Sequence, residues 1–155
     1  LITSEAEDVL RIYTDGGCKG NPGPGGWAAI IIAPNYEPYK MSGGEALTTN
    51  NRMELTAVIN ALEKAAERFP REKSIELITD SQYVQKGVTE WLGGWIRRNW
   101  KRAKGKPVKN QDLWVKLEKA KRGLKIDWKW VKGHAGNTWN ERCHELAKEG
   151  FSGFS

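Results

Sequence analysis

Between Ile12 and Ile32 the chain reads IYTDGGCKGNPGPGGWAAIII, two apolar runs flanking a carboxylate and a glycine-dense loop. Few folds accommodate this arrangement. Val9 to Thr14 reads as a strand, and Trp27 to Ile32, apolar throughout, as a second and well-buried strand. Asp15 ends the first strand, and six glycines lie between Gly16 and Gly26. Gly23-Pro24-Gly25-Gly26-Trp27-Ala28 fits the spacing G-x-G-x-x-G/A, but that phosphate-cradling fingerprint needs a helix start where Trp27 begins a strand. No G-K-[S/T] follows, so a P-loop is also excluded. The loop is predicted to be a hairpin-like turn, its glycines serving positive φ or close approach to a ligand.

The remaining pattern extends this start. Glu37 to Gly43 reads as a third strand after a turn at Pro34-Asn35. Leu55, Ile59, Leu62, Ala66 and Phe69 recur on one helical face, with Asn51 as the expected N-cap and Pro70 as the stop. Ile75 to Thr79 is a strand, and Ser81 opens a helix through Glu90. A tryptophan-bearing basic segment and a helix over Asp112 to Lys121 come next. Ile126, Trp128 and Trp130 alternate with charged residues as a half-buried strand, with Trp128 and Trp130 assigned to the core. A last helix spans Asn137 to Glu149, with Cys143, Leu146, Ala147 and Gly150 as its inner stripe and GFSGFS as a loose tail. The order β-β-β-α-β-α-α-α-β-α predicts an α/β sandwich around a mixed sheet, an antiparallel meander followed by helical crossovers. One domain over 1–155 is expected, with a core over 9–149.

Charge narrows the partner. Between Trp91 and Gln111 lie Arg97, Arg98, Lys101, Arg102, Lys104, Lys106 and Lys109, with no acid among them. Those seven exceed the whole chain's net charge of +6, so the rest of the molecule is nearly neutral. A local basic patch of this kind fits a polyanion. Two distant cysteines, Cys18 and Cys143, predict free thiols in a reducing compartment. The acidic start LITSEAED is unlike a secretory signal, and no apolar run reaches membrane-span length. A cytoplasmic protein without membrane contact is expected.

Three acids sit at element boundaries: Asp15 after the first strand, Glu54 in the first turn of the long helix, Asp80 after the fourth strand. If the first and fourth strands are parallel neighbours, their C-terminal ends bring Asp15 and Asp80 together, and a helix start can add Glu54. Clustered carboxylates suit a shared hard cation such as Mg²⁺. Each acid also has a purely structural reading. Asp80 can cap the following helix, Glu54 can complete a capping box with Asn51, and Asp15 can be a turn residue.

The blocks TDGGCKGNPGPGGW, TTNNRMEL, TDSQYV, KPVKNQDLW and WVKGHAGNTWNERCHELA, in this order and spacing, resemble ribonuclease H type 1 in its single-domain bacterial form. The resemblance implies a ribonuclease H-like fold, a five-stranded mixed sheet with helices on both faces. It further implies metal-dependent cleavage of the RNA strand of RNA/DNA hybrids, leaving 5′-phosphate and 3′-hydroxyl ends. By position, Asp15, Glu54 and Asp80 match the family's catalytic, metal-binding carboxylates, with Mg²⁺ or Mn²⁺ as the expected ions, two when substrate is bound. His134 in KGHAG matches a mobile-loop histidine that assists proton transfer or product release. Cys18, Asn21, Asn50 and Gln82 match residues that sense the RNA strand, whose 2′-hydroxyl is its direct label. Thr49 and Asn110 match a DNA-strand phosphate pocket, and Asn51 and Trp91 lie along the DNA-strand groove. Trp95, Trp100 and Lys101 match a basic protrusion that grips the DNA backbone. At least one of Trp91, Trp95 and Trp100 is expected to be core.

One position departs from the family pattern: His144 stands where a fourth carboxylate is expected. A neutral imidazole there can ligate a metal, favouring Mn²⁺ or Zn²⁺ over Mg²⁺. It can instead hydrogen-bond a bound water, or remain a half-exposed helix histidine with no metal bond. Rival readings are an integrase-like strand-transfer domain, a reverse-transcriptase nuclease domain and a hybrid binder without turnover. The expected partner is an RNA/DNA hybrid, and the expected state a monomer.

Overall fold

The computed structural model describes residues 9–70, 73–102, 105–132 and 138–152. The antiparallel meander is β1 (Leu10–Cys18), β2 (Gly23–Ile32) and β3 (Tyr39–Thr48). Helix α1 (Asn50–Arg68) crosses over to β4 (Ser74–Thr79). Then come α2 (Gln82–Lys86), a π-helical turn over Gly87–Trp91, α3 (Leu92–Arg97), α4 (Gln111–Lys121), β5 (Lys125–Trp130) and α5 (Thr138–Ser152). The five strands form one sheet in the order β3-β2-β1-β4-β5. β1 runs antiparallel to β2 and parallel to β4, so the predicted neighbour relation holds.

Alternation along the strands feeds two cores. Ile12, Ile31 and Leu77 face α1, α2 and α4, while Tyr13, Ile30 and Ile78 face Cys143 and Ala147 of α5. Helices therefore cover both faces of the sheet, as a buried strand with apolar residues on successive positions requires. Trp114 of α4, fully buried, sits in the larger core.

Several boundaries differ from the sequence pattern, each for a local reason. The glycines continue the ladder, Gly16 opposite Trp27 and Gly17 opposite Gly26, so β1 reaches Cys18 and β2 starts at Gly23. The turn proper contains Gly20 at φ +79, where an L side chain would be strained. Helix α1 is capped by Thr49 in place of Asn51: its hydroxyl accepts from the Arg52 N–H at 3.2 Å. Asn51 lies inside the first turn, exposed. Beyond Glu90 the helix continues through the π turn to Arg97, because Gly87 lets the Trp114 ring lie against its backbone. Left-handed Asn99 and Trp100 then end it. Helix α5 runs to Ser152, so part of the expected tail is helical. No helix among the described residues is long and apolar enough to cross a membrane.

Candidate active site

Asp15 near the end of β1, Asp80 just after β4 and Glu54 on α1 converge as the parallel pairing demands. Each offers an oxygen, and these lie within 4.8 Å of one another. Glu54 reaches the group because Gly16 has no side chain: a Cβ there would run into the backbone of Met53 and Glu54. The glycine thus brings α1 directly onto β1 at the carboxylate. Asp80 is steadied from β5, where the Trp130 indole N–H donates to the Asp80 carbonyl at 3.0 Å.

The site is electrostatically costly without a counter-charge. Burial pushes the Asp15 carboxyl up, the charge of Asp80 adds to this, and the His144 contact works against it. Burial holds Glu54 well above the ordinary range, and the charges of Asp15 and Asp80 raise it further. Glu54 Oε1 is buried with no hydrogen-bond partner. An orphaned oxygen within a cluster of three carboxylates fits a hard divalent cation, which takes oxygen ligands and offsets the repulsion. The capping reading of Glu54 fails on this geometry, because its side chain is buried against the two aspartates. Asp80 is not the cap of α2 either; Ser81 is, its hydroxyl accepting from the Val84 N–H at 3.1 Å.

An open cleft of about 510 Å³ surrounds the carboxylates, and Cys18, Asn50, Asn51, Gln82 and His144 also line it. Asn21 stands one layer back. Its Oδ1 accepts from the Asn50 N–H at 2.9 Å and from the Cys18 thiol at 3.5 Å, while Asn50 Oδ1 accepts from the Cys18 N–H at 2.7 Å. These bonds interlock the glycine hairpin with the start of α1.

Thr49 and Asn110 are brought to one place by Arg52. Its backbone N–H donates to Thr49, and Nη1 donates to Asn110 Oδ1 at 3.3 Å. Asn110 Nδ2 donates to the Tyr83 hydroxyl at 3.2 Å, which also accepts from the Trp114 indole at 2.8 Å. Sequence reading missed Arg52, Asp112 and Tyr83, because their partners lie 27 to 60 positions away.

The tryptophans divide. Trp91 is 36% exposed, at the mouth of the basic segment. Trp95 sits between Trp91 and Trp114, ring centroids 5.8 and 5.3 Å away, and packs on the core with Trp100. The expectation that at least one of the three is core is met in part: Trp95 and Trp100 are half-buried against the core. Trp128 packs on the core, whereas Trp130 is 41% exposed, against its predicted burial. It lies at the strand's end, where its ring turns to the Asp80 backbone. Arg97, Arg98, Lys101, Arg102, Lys106 and Lys109 are all exposed. His134 and Lys104 lie outside the described residues. Both cysteines are free, Cys143 buried, its thiol pushed up by burial.

Fold and site together define an α/β protein with a carboxylate cluster that could hold a metal ion at the ends of parallel strands. Comparison with known proteins gives that class its family. The RNase H family profile matches residues 7–152. A Ribonuclease H of Thiobacillus denitrificans is 57% identical over 143 residues, covering 92% of this chain and 93% of its own length. One of Phenylobacterium zucineum is 57% identical over 141 residues, covering 91% and 89%. The crystal structure of LC9-RNase H1, a type 1 RNase H with the type 2 active-site motif, superposes with a TM-score of 0.82 at 33% identity, over 95% of this chain and 74% of that one. The chain belongs to the ribonuclease H family.

Proposed function

We propose that the chain is a divalent-metal-dependent endonuclease that hydrolyses the RNA strand of RNA/DNA hybrids to 5′-phosphate and 3′-hydroxyl ends. The observation that carries the reading is the carboxylate triad, with Glu54 Oε1 buried and unpartnered between two aspartates. Family membership supports the substrate, since the relatives are named Ribonuclease H.

Asp15, Glu54 and Asp80 would hold Mg²⁺ or Mn²⁺, two ions with substrate present. Such ions activate a water and stabilise the leaving oxygen in phosphodiester cleavage. The residues of the chain do the positioning. Gly16 and the Trp130–Asp80 bond keep the carboxylates converged before substrate arrives, so little reorganisation is left for the reaction. With Oδ1 of Asn50 committed to the Cys18 N–H, the amide nitrogen is the end available to a ribose 2′-oxygen. Cys18 and Gln82 flank the same cleft, and Asn21 acts by holding Asn50. Thr49 and Asn110 receive a DNA-strand phosphate, with Arg52 beside them. Asn51 and Trp91 follow the DNA groove, and Trp100, Lys101 and the neighbouring cations neutralise backbone phosphates. Trp95 contributes by supporting Trp91. His134 assists proton transfer or product release. The chain acts as one domain, a monomer, in the cytoplasm, a compartment consistent with two free thiols.

Incubation with an end-labelled RNA/DNA hybrid in Mg²⁺ and in Mn²⁺, beside RNA/RNA and DNA/DNA duplexes, tests this. Hybrid-only fragments with 3′-hydroxyl ends are expected. Equal cutting of a DNA duplex would move the chain to the strand-transfer class.

A further inference from the structure

His144 stands beside the carboxylates without joining them. Its Nδ1 lies 2.8 Å from Asp15 Oδ2, yet among the described residues the ligand atoms that converge within 4.8 Å belong to Asp15, Glu54 and Asp80. With Nδ1 committed to Asp15, only Nε2 could offer a lone pair to a metal, and neither ring nitrogen belongs to the group of ligand atoms that converge within 4.8 Å. Where histidine and carboxylate serve a metal in sequence, the histidine ordinarily ligates and the carboxylate stands behind it. Here the order is reversed: Asp15 belongs to the cluster, and the imidazole stands behind Asp15.

The placement is held from below. Cys143, the preceding residue, is fully buried, its thiol 3.5 Å from the Tyr13 carbonyl and 3.3 Å from that of Ala28. Ala28 is the β2 partner of Asp15 in the sheet. The register of α5 is thus fixed on the strand pair that carries Asp15, and Ala147, one turn on, is buried as well. His144 can swing away only by a change of rotamer, and its side chain is 35% exposed against 10% for Asp15.

We propose that His144 is a positioning residue that tethers Asp15 Oδ2 and stays outside the coordination sphere, so that three carboxylates alone define the cation site of this chain. The inference rests on the reading of the triad as a cation site. Helix α5 then contributes orientation and no metal ligand.

Mn²⁺ binding to the substrate-free protein tests it. Pulsed electron paramagnetic resonance of the Mn²⁺-loaded wild type is expected to show no directly bound nitrogen. His144→Asn, which keeps a donor at the position of Nδ1, should hold Mn²⁺ within about twofold of wild type, and His144→Ala should weaken it about tenfold. The Ala variant's melting temperature in chelator reports separately on folding. A nitrogen coupling that disappears in His144→Ala would make His144 a ligand and overturn the proposal. Equal weakening in the Asn and Ala variants would overturn it too, by removing the hydrogen bond as the cause. If the wild type binds no Mn²⁺, the cation-site reading itself fails, and the inference with it.

Discussion

Arg52 grips Asp112 through both ends of its guanidinium, Nη1 to Oδ1 at 2.9 Å and Nη2 to Oδ2 at 2.7 Å, joining the first turn of α1 to the first turn of α4. The same Nη1 reaches Asn110, a left-handed residue that starts α4. Two helices whose starts meet at the edge of the cleft are thereby fixed relative to each other, with the amide of Asn110 oriented between Arg52 and Tyr83.

This clamp has a modest energy and a larger positional effect. The Arg52 guanidinium holds the Asp112 carboxyl down at about 2, below the usual 3.8. A depressed carboxyl stabilises the fold above the unfolded-state value, and that share is lost as pH falls from about 4 towards 2. Asp112 is 58% exposed, so screening keeps the contribution to about 1 kcal/mol or less. Asp112→Asn should therefore melt only slightly earlier at pH 7 and match wild type near pH 2. Steady-state cleavage should show KM for hybrid raised several-fold with kcat little changed, because Asn110 loses its orientation.

Gly16→Ala tests the close approach of β1 and α1. The new methyl must displace the backbone at Met53 and Glu54. A shift of about 1 Å in a catalytic carboxylate lowers rates on the order of 100-fold. We expect kcat to fall by that order and the melting temperature to drop. Wild-type kcat in this variant would show that Glu54 need not be held so tightly.

Removing charge from the triad should stabilise the metal-free protein while abolishing cleavage. Burial raises Glu54 strongly and Asp15 as well. A carboxyl raised on folding stabilises below its unfolded-state value, and that share is lost as pH rises through the folded value. At pH 7, above the unfolded-state value, the wild type bears this cost. In chelator, Glu54→Gln is expected to melt higher than wild type at pH 7 by several degrees, with the difference vanishing near pH 4. Melting curves across that range check both sign and window.

The exposed cations after α3 should act through salt. Lys101→Ala with Arg102→Ala is predicted to flatten the dependence of log Kd on log salt by about 2, roughly one per lost phosphate contact. Melting should be nearly unchanged, because both side chains are exposed. An unaltered slope would remove these residues from the hybrid interface.

What was legible in the sequence follows from the range of each interaction. Asp15, Glu54 and Asp80 were readable because strand ends and a helix start are local signals, and parallel pairing of β1 with β4 does the rest. The multi-residue blocks supplied the family. Less visible was anything set by distant packing. The π turn at Gly87 depends on Trp114, 27 residues later, and Trp130 was read as core because strand alternation does not report where a strand ends. Asn51 lost the cap because the helix starts at Asn50, one residue earlier, where the Thr49 hydroxyl accepts from the Arg52 N–H. The role proposed for His144 needed the register of α5 against β1 and β2, which the buried Cys143 and Ala147 fix.

Asp15, Glu54 and Asp80 are proposed to make a metal-dependent centre that cuts RNA paired with DNA. The measurement is single-turnover cleavage of a labelled hybrid by wild type and by Asp80→Asn, in chelator and after addition of Mg²⁺ or Mn²⁺. Cleavage by the wild type only with metal, and a loss of at least about 100-fold in the variant at unchanged hybrid affinity, is the predicted result. Metal-independent cutting, or an Asp80→Asn enzyme as fast as wild type, would contradict the account.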